Sequence, residues 1–267
     1  MLAGTPAGRA VTVPCSVERF AAGRQLRLVW QNAVGGLTFE LSGPDGRLFV
    51  KWQPAGCDID LEAEAQRLLW ASRFTPVPAV VGQGSDSEGA WIVTAALPGE
   101  NAVSARWRKE PATAVRAIGE GLRALHDSLP VGPCPFSWSA EERIADARRR
   151  AAIGMIDPKQ WWPEHREITV DEALALVEDA PPLDRVVVCH GDACAPNTLI
   201  GDNGLWSGHV DFGELGVADR WADLAIATWS TQWNYGPGWE PTLLGAYGVE
   251  PDPVRTGYYR LLWELGP

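Results

Sequence analysis

Apolar and polar positions along the front of the chain follow the period of β-strands. Residues 26–30 and 37–41 are short runs of apolar and β-forming side chains. Gly43-Pro44-Asp45-Gly46 supplies a turn, and Leu48-Phe49-Val50-Lys51-Trp52 follows as a third strand. Pleating puts Phe49 and Lys51 on one face of that strand and Leu48, Val50 and Trp52 on the other. A lysine between strand-core residues stands out. Over 60–72 the period changes to that of a helix, with Leu61, Ala65, Leu68 and Leu69 on one stripe and Asp60 placed as the cap. Residues 77–81 and 91–95 read as two more strands around a polar turn containing Gly82-Gln83-Gly84-Ser85. That turn lacks a third glycine and opens no helix, so it reads as a hairpin and not as a dinucleotide fingerprint.

Beyond Leu97-Pro98-Gly99 the spacing is helical over 112–129, 140–153 and 170–178, with a loop at 158–162. Arg148, Arg149 and Arg150 form a solvated face of the second helix. A four-residue apolar strand at 186–189 leads into His190-Gly191-Asp192. The pattern predicts an α+β protein of two lobes, a β-rich one over 1–95 and a mostly helical one over 96–267, with a ligand cleft expected between them.

Charge narrows the function. With 23 Lys+Arg against 34 Asp+Glu the 267-residue chain has a formal net charge of −11, which excludes a sequence-independent nucleic-acid binder. The five cysteines form no C-x-x-C pair and suit reduced thiols better than a zinc module. Residues 1–20 lack an apolar signal core, and the charge-free stretch 224–239 is broken by Ser, Thr, Gln, Asn, Gly and Pro. The expectation is a cytoplasmic protein with no membrane segment and no obligate protein partner evident. The unusual count is tryptophan, 14 against 4 Tyr and 6 Phe.

The densest polar constellation is His190-Gly191-Asp192-Ala193-Cys194-Ala195-Pro196-Asn197, followed by Gly208-His209-Val210-Asp211-Phe212-Gly213. A strand, a polar loop and a hairpin ending in an aspartate bring Asn197 and Asp211 towards one point, with Asp192 nearby. An amide oxygen and a carboxylate are hard donors that suit Mg²⁺. Asp192 is then left to orient or deprotonate a hydroxyl.

The combined spacing H-G-D-x-x-x-x-N, hairpin, D-F-G resembles the aminoglycoside phosphotransferase family, which has the two-lobed protein-kinase-like fold. The resemblance covers nearly the whole chain. It implies that Asp192 serves the substrate hydroxyl, while Asn197 and Asp211 hold Mg²⁺ on the phosphates of ATP or GTP. It implies further that Lys51, paired with Glu64 of the first helix, anchors those phosphates. Gly35 and Gly36, in Asn32-Ala33-Val34-Gly35-Gly36-Leu37, match the family's flap over the phosphates. The backbone from Thr94 to Ala96 matches its purine-binding hinge. His126, Asp219, Arg220 and Asp223 read as packing and structural hydrogen-bond residues.

The implied acceptor is a small-molecule antibiotic, an aminoglycoside first. Departures from the family pattern qualify this. Glu214 stands where the family usually has arginine, and Trp263 precedes Glu264 where a pair of acids is usual. Glu164 and Glu167 read either as an acidic lid for a cationic substrate or as a solvated loop. The missing acid and the many tryptophans of the second lobe would also fit a flatter, less cationic acceptor such as a nucleoside-type antibiotic. Two other classes stay open on the residues alone. One is a metal-dependent hydrolase built from His190, Asp192, His209 and Asp211; the other is a pseudokinase.

Overall fold

The computed structural model describes residues 11–266 apart from 22 and 58, so the first ten residues of the expected first lobe, and residue 267 of the second, lie outside the described residues. Two compact units result, one ending at Leu97 and the other beginning at Pro98.

The first unit runs α1 (Cys15–Ala21), β1 (Gln25–Gln31), β2 (Leu37–Gly43), β3 (Gly46–Pro54), α2 (Leu61–Ala71), β4 (Val80–Ser85) and β5 (Gly89–Ala95). Its strands form one antiparallel sheet in the order β1-β2-β3-β5-β4. Alternation along β3 sends Val50 into a core with Val17 of α1, Leu37, Phe39, Leu41 and Val93, and Leu48 and Trp52 pack against it. The short helix α1 was not expected from the sequence. Its seven residues span about two turns, too few for a helical period to register.

Helix α2 begins as read: the Asp60 carboxylate accepts the Ala63 N–H at 3.0 Å. Its inner stripe differs. Leu61, Ala65 and Leu68 are buried together with Glu64, whereas Leu69 is 54% exposed and Trp70 is buried instead. The β4–β5 hairpin is also displaced from the expectation. Gly82 to Ser85 belong to β4 itself, and the reversal falls at Asp86, whose carboxylate accepts the N–H groups of Glu88 and Gly89.

The second unit contains β6 (Glu100–Asn101), α3 (Pro111–Ser128), α4 (Ala140–Ala152), α5 (Val170–Glu178), β7 (Val186–Cys189), β8 (Thr198–Ile200), β9 (Trp206–His209), β10 (Gly216–Asp219), α6 (Trp221–Tyr235), α7 (Glu240–Tyr247) and α8 (Pro253–Glu264). Side-chain caps set several starts: Ser139 accepts Glu142 N–H, and Thr169 with Glu172 forms a capping box. Helix α3 packs on α7 and α6 on α8, while β7 pairs with β10 and β8 lies between β6 and β9. The charge-free stretch 224–239 falls largely in α6, whose residues from Trp221 to Thr231 are buried. No helix among the described residues is long and apolar enough to cross a membrane.

Candidate active site

The loop after β7 is held from below. Asp223 of α6 accepts the His190 N–H on Oδ2 at 2.6 Å and the Gly191 N–H on Oδ1 at 2.9 Å. The same Oδ2 meets His126 Nε2 at 2.9 Å, and His126 Nδ1 lies 2.8 Å from the Tyr247 hydroxyl. Burial works to raise the Asp223 carboxyl, but the hydrogen bond and charge of His126 outweigh it and leave Asp223 below the usual carboxylate range. His190 is fixed at both nitrogens: Nε2 donates to Val210 O at 3.0 Å and Nδ1 accepts the Asp192 N–H at 3.2 Å. Gly191 has φ +88°, and a Cβ there would stand 2.2 Å from the Glu214 carbonyl oxygen. Only glycine lets the loop pass Glu214 so closely.

This scaffold brings Asp192 and Asn197 together. Asn197 Nδ2 donates to Asp192 Oδ2 and to the Asp192 carbonyl, each at 3.0 Å. Asp192 Oδ1 is buried without a hydrogen-bond partner. Burial, then the charge of Asp211, pushes the Asp192 carboxyl above its ordinary range, with the nearby Cys194 thiol, His190 and Asn197 partly offsetting this. Asp211 arrives through the β8–β9 hairpin: Thr198 is opposite His209, and Val210 N–H donates to Asn197 O at 2.9 Å. The strand stops at His209, and Asp211 turns to φ +70°, the one non-glycine positive φ among the described residues. Phe212 behind it is fully buried against His190, ring centroids 4.8 Å apart.

Donating its amide N–H leaves the Asn197 oxygen able to accept a cation, and the Asp211 carboxylate lies close enough to perturb Asp192. This oxygen-only set fits Mg²⁺. It does not fit the hydrolase expected as an alternative. Both His190 nitrogens are occupied, and His209 is buried with Nδ1 3.3 Å from Thr198 Oγ1. The positive φ at Asp211 also breaks the regular strand that would have aligned it with His209. The metal-capable cluster among the described residues is instead His126, Cys189 and Asp223. The hydrogen bonds of His126 and Asp223, and that of the Cys189 thiol to the Asp219 carbonyl, already occupy this buried group.

In the first unit Lys51 Nζ contacts Glu64 Oε1 at 2.6 Å, with the lysine side chain 24% exposed and the glutamate buried. Leu61, Glu64, Ala65 and Leu68 share the inward stripe of α2, so the carboxylate is aimed at the sheet by helix geometry. The flap glycines have local roles. Asn32 Oδ1 accepts the N–H groups of Val34 and Gly36, and a Cβ on Gly36 would strike the Gln53 amide at 2.1 Å. Gly35 supplies φ +88° for the same turn. At the expected hinge, Ala95 N–H donates to Ala79 O at 2.8 Å and Ala96 N–H to Arg47 O at 3.0 Å, so those two donors are already committed.

The expected acceptor residues separate into two sets. Glu164 and Glu167 are exposed on segment 161–168. Glu264 is not: its side chain is 6% exposed and Oε1 accepts the Trp162 N–H at 2.5 Å. Trp263 lines a small hollow with Gln160, Trp162, Trp229, Trp233 and Glu264. Glu214 lies beside Gly191 through its backbone. Ser230 was missed in the sequence. Its hydroxyl accepts the Ala195 N–H at 2.9 Å, and its place seven residues after Asp223, on the same face of α6, is the signal that could have found it.

Residues 32–259 match the model of the phosphotransferase enzyme family. The chain belongs to that family. It is 37% identical over 246 residues to an aminoglycoside 3'-phosphotransferase of Streptomyces fradiae, covering 86% of this chain and 91% of that one. It is 33% identical over 259 residues to a streptomycin 3''-kinase of Streptomyces griseus, covering 91% and 92%. The crystal structure of an aminoglycoside-3'-phosphotransferase of type VIII matches with a TM-score of 0.79 at 34% identity, over 91% of this chain and 94% of that one. An aminoglycoside phosphotransferase from Streptomyces rimosus, in complex with ADP and streptomycin, matches with a TM-score of 0.70 at 28% identity, over 92% and 93%. The fold is thus the two-lobed α+β kinase-like fold, and the protein is a small-molecule kinase.

Proposed function

We propose that this phosphotransferase moves the γ-phosphoryl group of ATP or GTP to a sugar hydroxyl of an aminoglycoside, inactivating it as an antibiotic. The observation that carries this reading is the Asp192–Asn197 pair on a loop clamped by Asp223, with Asp211 brought beside it by a hairpin. Similarity to enzymes named for aminoglycosides supplies the acceptor class.

Asp192 orients the acceptor hydroxyl and takes its proton on Oδ1, the oxygen left unpartnered, while Oδ2 stays fixed by Asn197. Burial suits the carboxylate to receive that proton, since its charged form is poorly solvated. Asn197 and Asp211 are the residues that hold Mg²⁺. When bound, the ion supplies charge neutralisation for the phosphate oxygens. Lys51, kept charged and extended by Glu64, binds nucleotide phosphates under the Asn32–Gly36 turn. The backbone from Thr94 to Ala96 serves as the purine-binding hinge. Glu164 and Glu167 receive ammonium groups of the acceptor; Glu214 adds negative charge beside the loop.

Trp263 with the half-buried indoles of Trp162 and Trp233 favours a second reading, a weakly charged nucleoside-type antibiotic that stacks. The test is nucleotide turnover with Mg²⁺ over a panel of aminoglycosides and nucleoside antibiotics, with the KM of the best acceptor measured at low and high salt. A polycation predicts a KM that rises as salt screens the acids over a Debye length of roughly 8–10 Å. A salt-insensitive KM for an aromatic acceptor selects the second reading, and no transfer to any member rejects both.

A further inference from the structure

The acid that closes α8 is turned inward. Glu264 Oε1 accepts the Trp162 N–H at 2.5 Å, and His165 Nδ1 lies 3.5 Å from the same oxygen. Both partners belong to segment 161–168, the stretch that carries Glu164 and Glu167. The segment is also closed on itself, since Arg166 Nε donates to the Trp161 carbonyl at 2.7 Å. The Trp162 ring packs on α6, 5.9 Å from Trp229 and 5.8 Å from Trp233 between centroids. Adjacent to Trp229 in sequence, Ser230 accepts the N–H of Ala195, three residues after Asp192. A continuous chain of contacts therefore runs from Glu264 through Trp162 and α6 to the loop of Asp192.

We propose that Glu264 is a positioning residue. It latches segment 161–168 to the end of α8, and so sets Glu164 and Glu167 at a fixed place relative to Asp192. It does not grip the acceptor itself, because its side chain is buried and its Oε1 is committed to the backbone of the segment. This inference rests on the reading that Glu164 and Glu167 receive an aminoglycoside. The physical point is one of pre-organisation. Two exposed acids on an untethered loop must be ordered at each binding event, whereas a tethered loop carries that cost in the folded state.

Glu264→Gln separates tethering from charge. The amide oxygen still accepts the Trp162 N–H, while the negative charge is gone; Glu264→Ala removes both. Hydrogen exchange on the acceptor-free protein reads the latch directly. The Trp162 amide should exchange about tenfold faster in Glu264→Ala, the loss of roughly one charge-assisted hydrogen bond, and recover most of its protection in Glu264→Gln. With kanamycin as acceptor, Glu264→Ala should raise KM about tenfold and leave the nucleotide KM within twofold, and Glu264→Gln should rescue most of that loss. In a Glu164→Gln/Glu167→Gln background, Glu264→Ala should add little further, because the groups it positions are already neutral.

A KM effect that adds in full to that double variant would overturn the proposal. So would a Glu264→Gln enzyme with a protected Trp162 amide and a KM as poor as Glu264→Ala, since that pattern marks direct contact with a cation. Should Glu264→Ala not fold, the Glu264→Gln comparison of exchange and KM decides alone. If wild type phosphorylates no aminoglycoside, the acceptor reading fails by itself, and exchange at Trp162 still reports whether the latch exists.

Discussion

Asp223 accepts the backbone N–H of His190 at 2.6 Å on the same carboxylate oxygen that meets His126 at 2.9 Å. One buried charge thus joins α3, α6 and the loop bearing Asp192. Asp223→Ala would strand His126 and two backbone donors in the interior. It should destabilise the fold by about 3 kcal/mol, the scale for removing one partner of a buried pair, and lower kcat as the loop relaxes. Asp223→Asn keeps the shape and should cost less. Urea unfolding together with single-turnover rates checks both; an Asp223→Ala protein as stable as wild type would remove Asp223 from this role.

Glu64 lies on the buried stripe of α2, 2.6 Å from Lys51. Glu64→Gln should weaken nucleotide binding about tenfold by releasing the lysine from its fixed position, and Lys51→Ala should weaken it at least as much. Acceptor KM should stay near wild type in each. Calorimetric titration with ATP and GTP measures this, and an unchanged nucleotide Kd in both variants would contradict the anchoring role.

His209 gives a pH prediction. Burial, reinforced by the neighbouring His190, pushes its pKa down to about 3 from an ordinary 6.5. The unfolded chain therefore binds a proton there that the folded chain refuses. Stability from this group is complete above pH 6.5 and falls as pH drops towards 3, with a slope of up to about 1.4 kcal/mol per pH unit. Chemical denaturation between pH 7 and 5 should show a steeper loss in wild type than in His209→Gln. Equal slopes would show that His209 is not held neutral.

Much of the candidate site was legible because its chemistry is local in sequence. Asp192, Asn197 and Asp211 sit at fixed spacings on one loop and one short hairpin, and Lys51 was conspicuous as a charge inside a strand pattern. Glu64 is singled out in the sequence by the family resemblance, as the partner of Lys51, and the structure adds that it lies on the buried stripe of Leu61, Ala65 and Leu68. What stayed hidden depends on partners remote in sequence. Glu264 reads as an acid near an end of the chain, and only the approach of Trp162, 102 residues away, shows that it is buried and engaged. The clamp from Asp223 to His190 and Gly191 spans 33 and 32 positions in the same way. A stripe traced through apolar residues alone includes Leu69, whereas the inner face of α2 accommodates Glu64 and leaves Leu69 exposed.

The central claim is that Asp192 directs phosphoryl transfer to an acceptor hydroxyl. Asp192→Asn keeps the side chain's size and an oxygen for Asn197, but it removes the proton acceptor. The decisive measurement is the rate at which wild type and Asp192→Asn attach phosphate to the best aminoglycoside of the panel, followed by mass spectrometry alongside nucleotide affinity. The account predicts a rate lower by about 10²–10⁴-fold in the variant, with ATP or GTP bound as tightly as before. An Asp192→Asn enzyme that transfers phosphate within about threefold of the wild-type rate, where chemistry limits turnover, would contradict it.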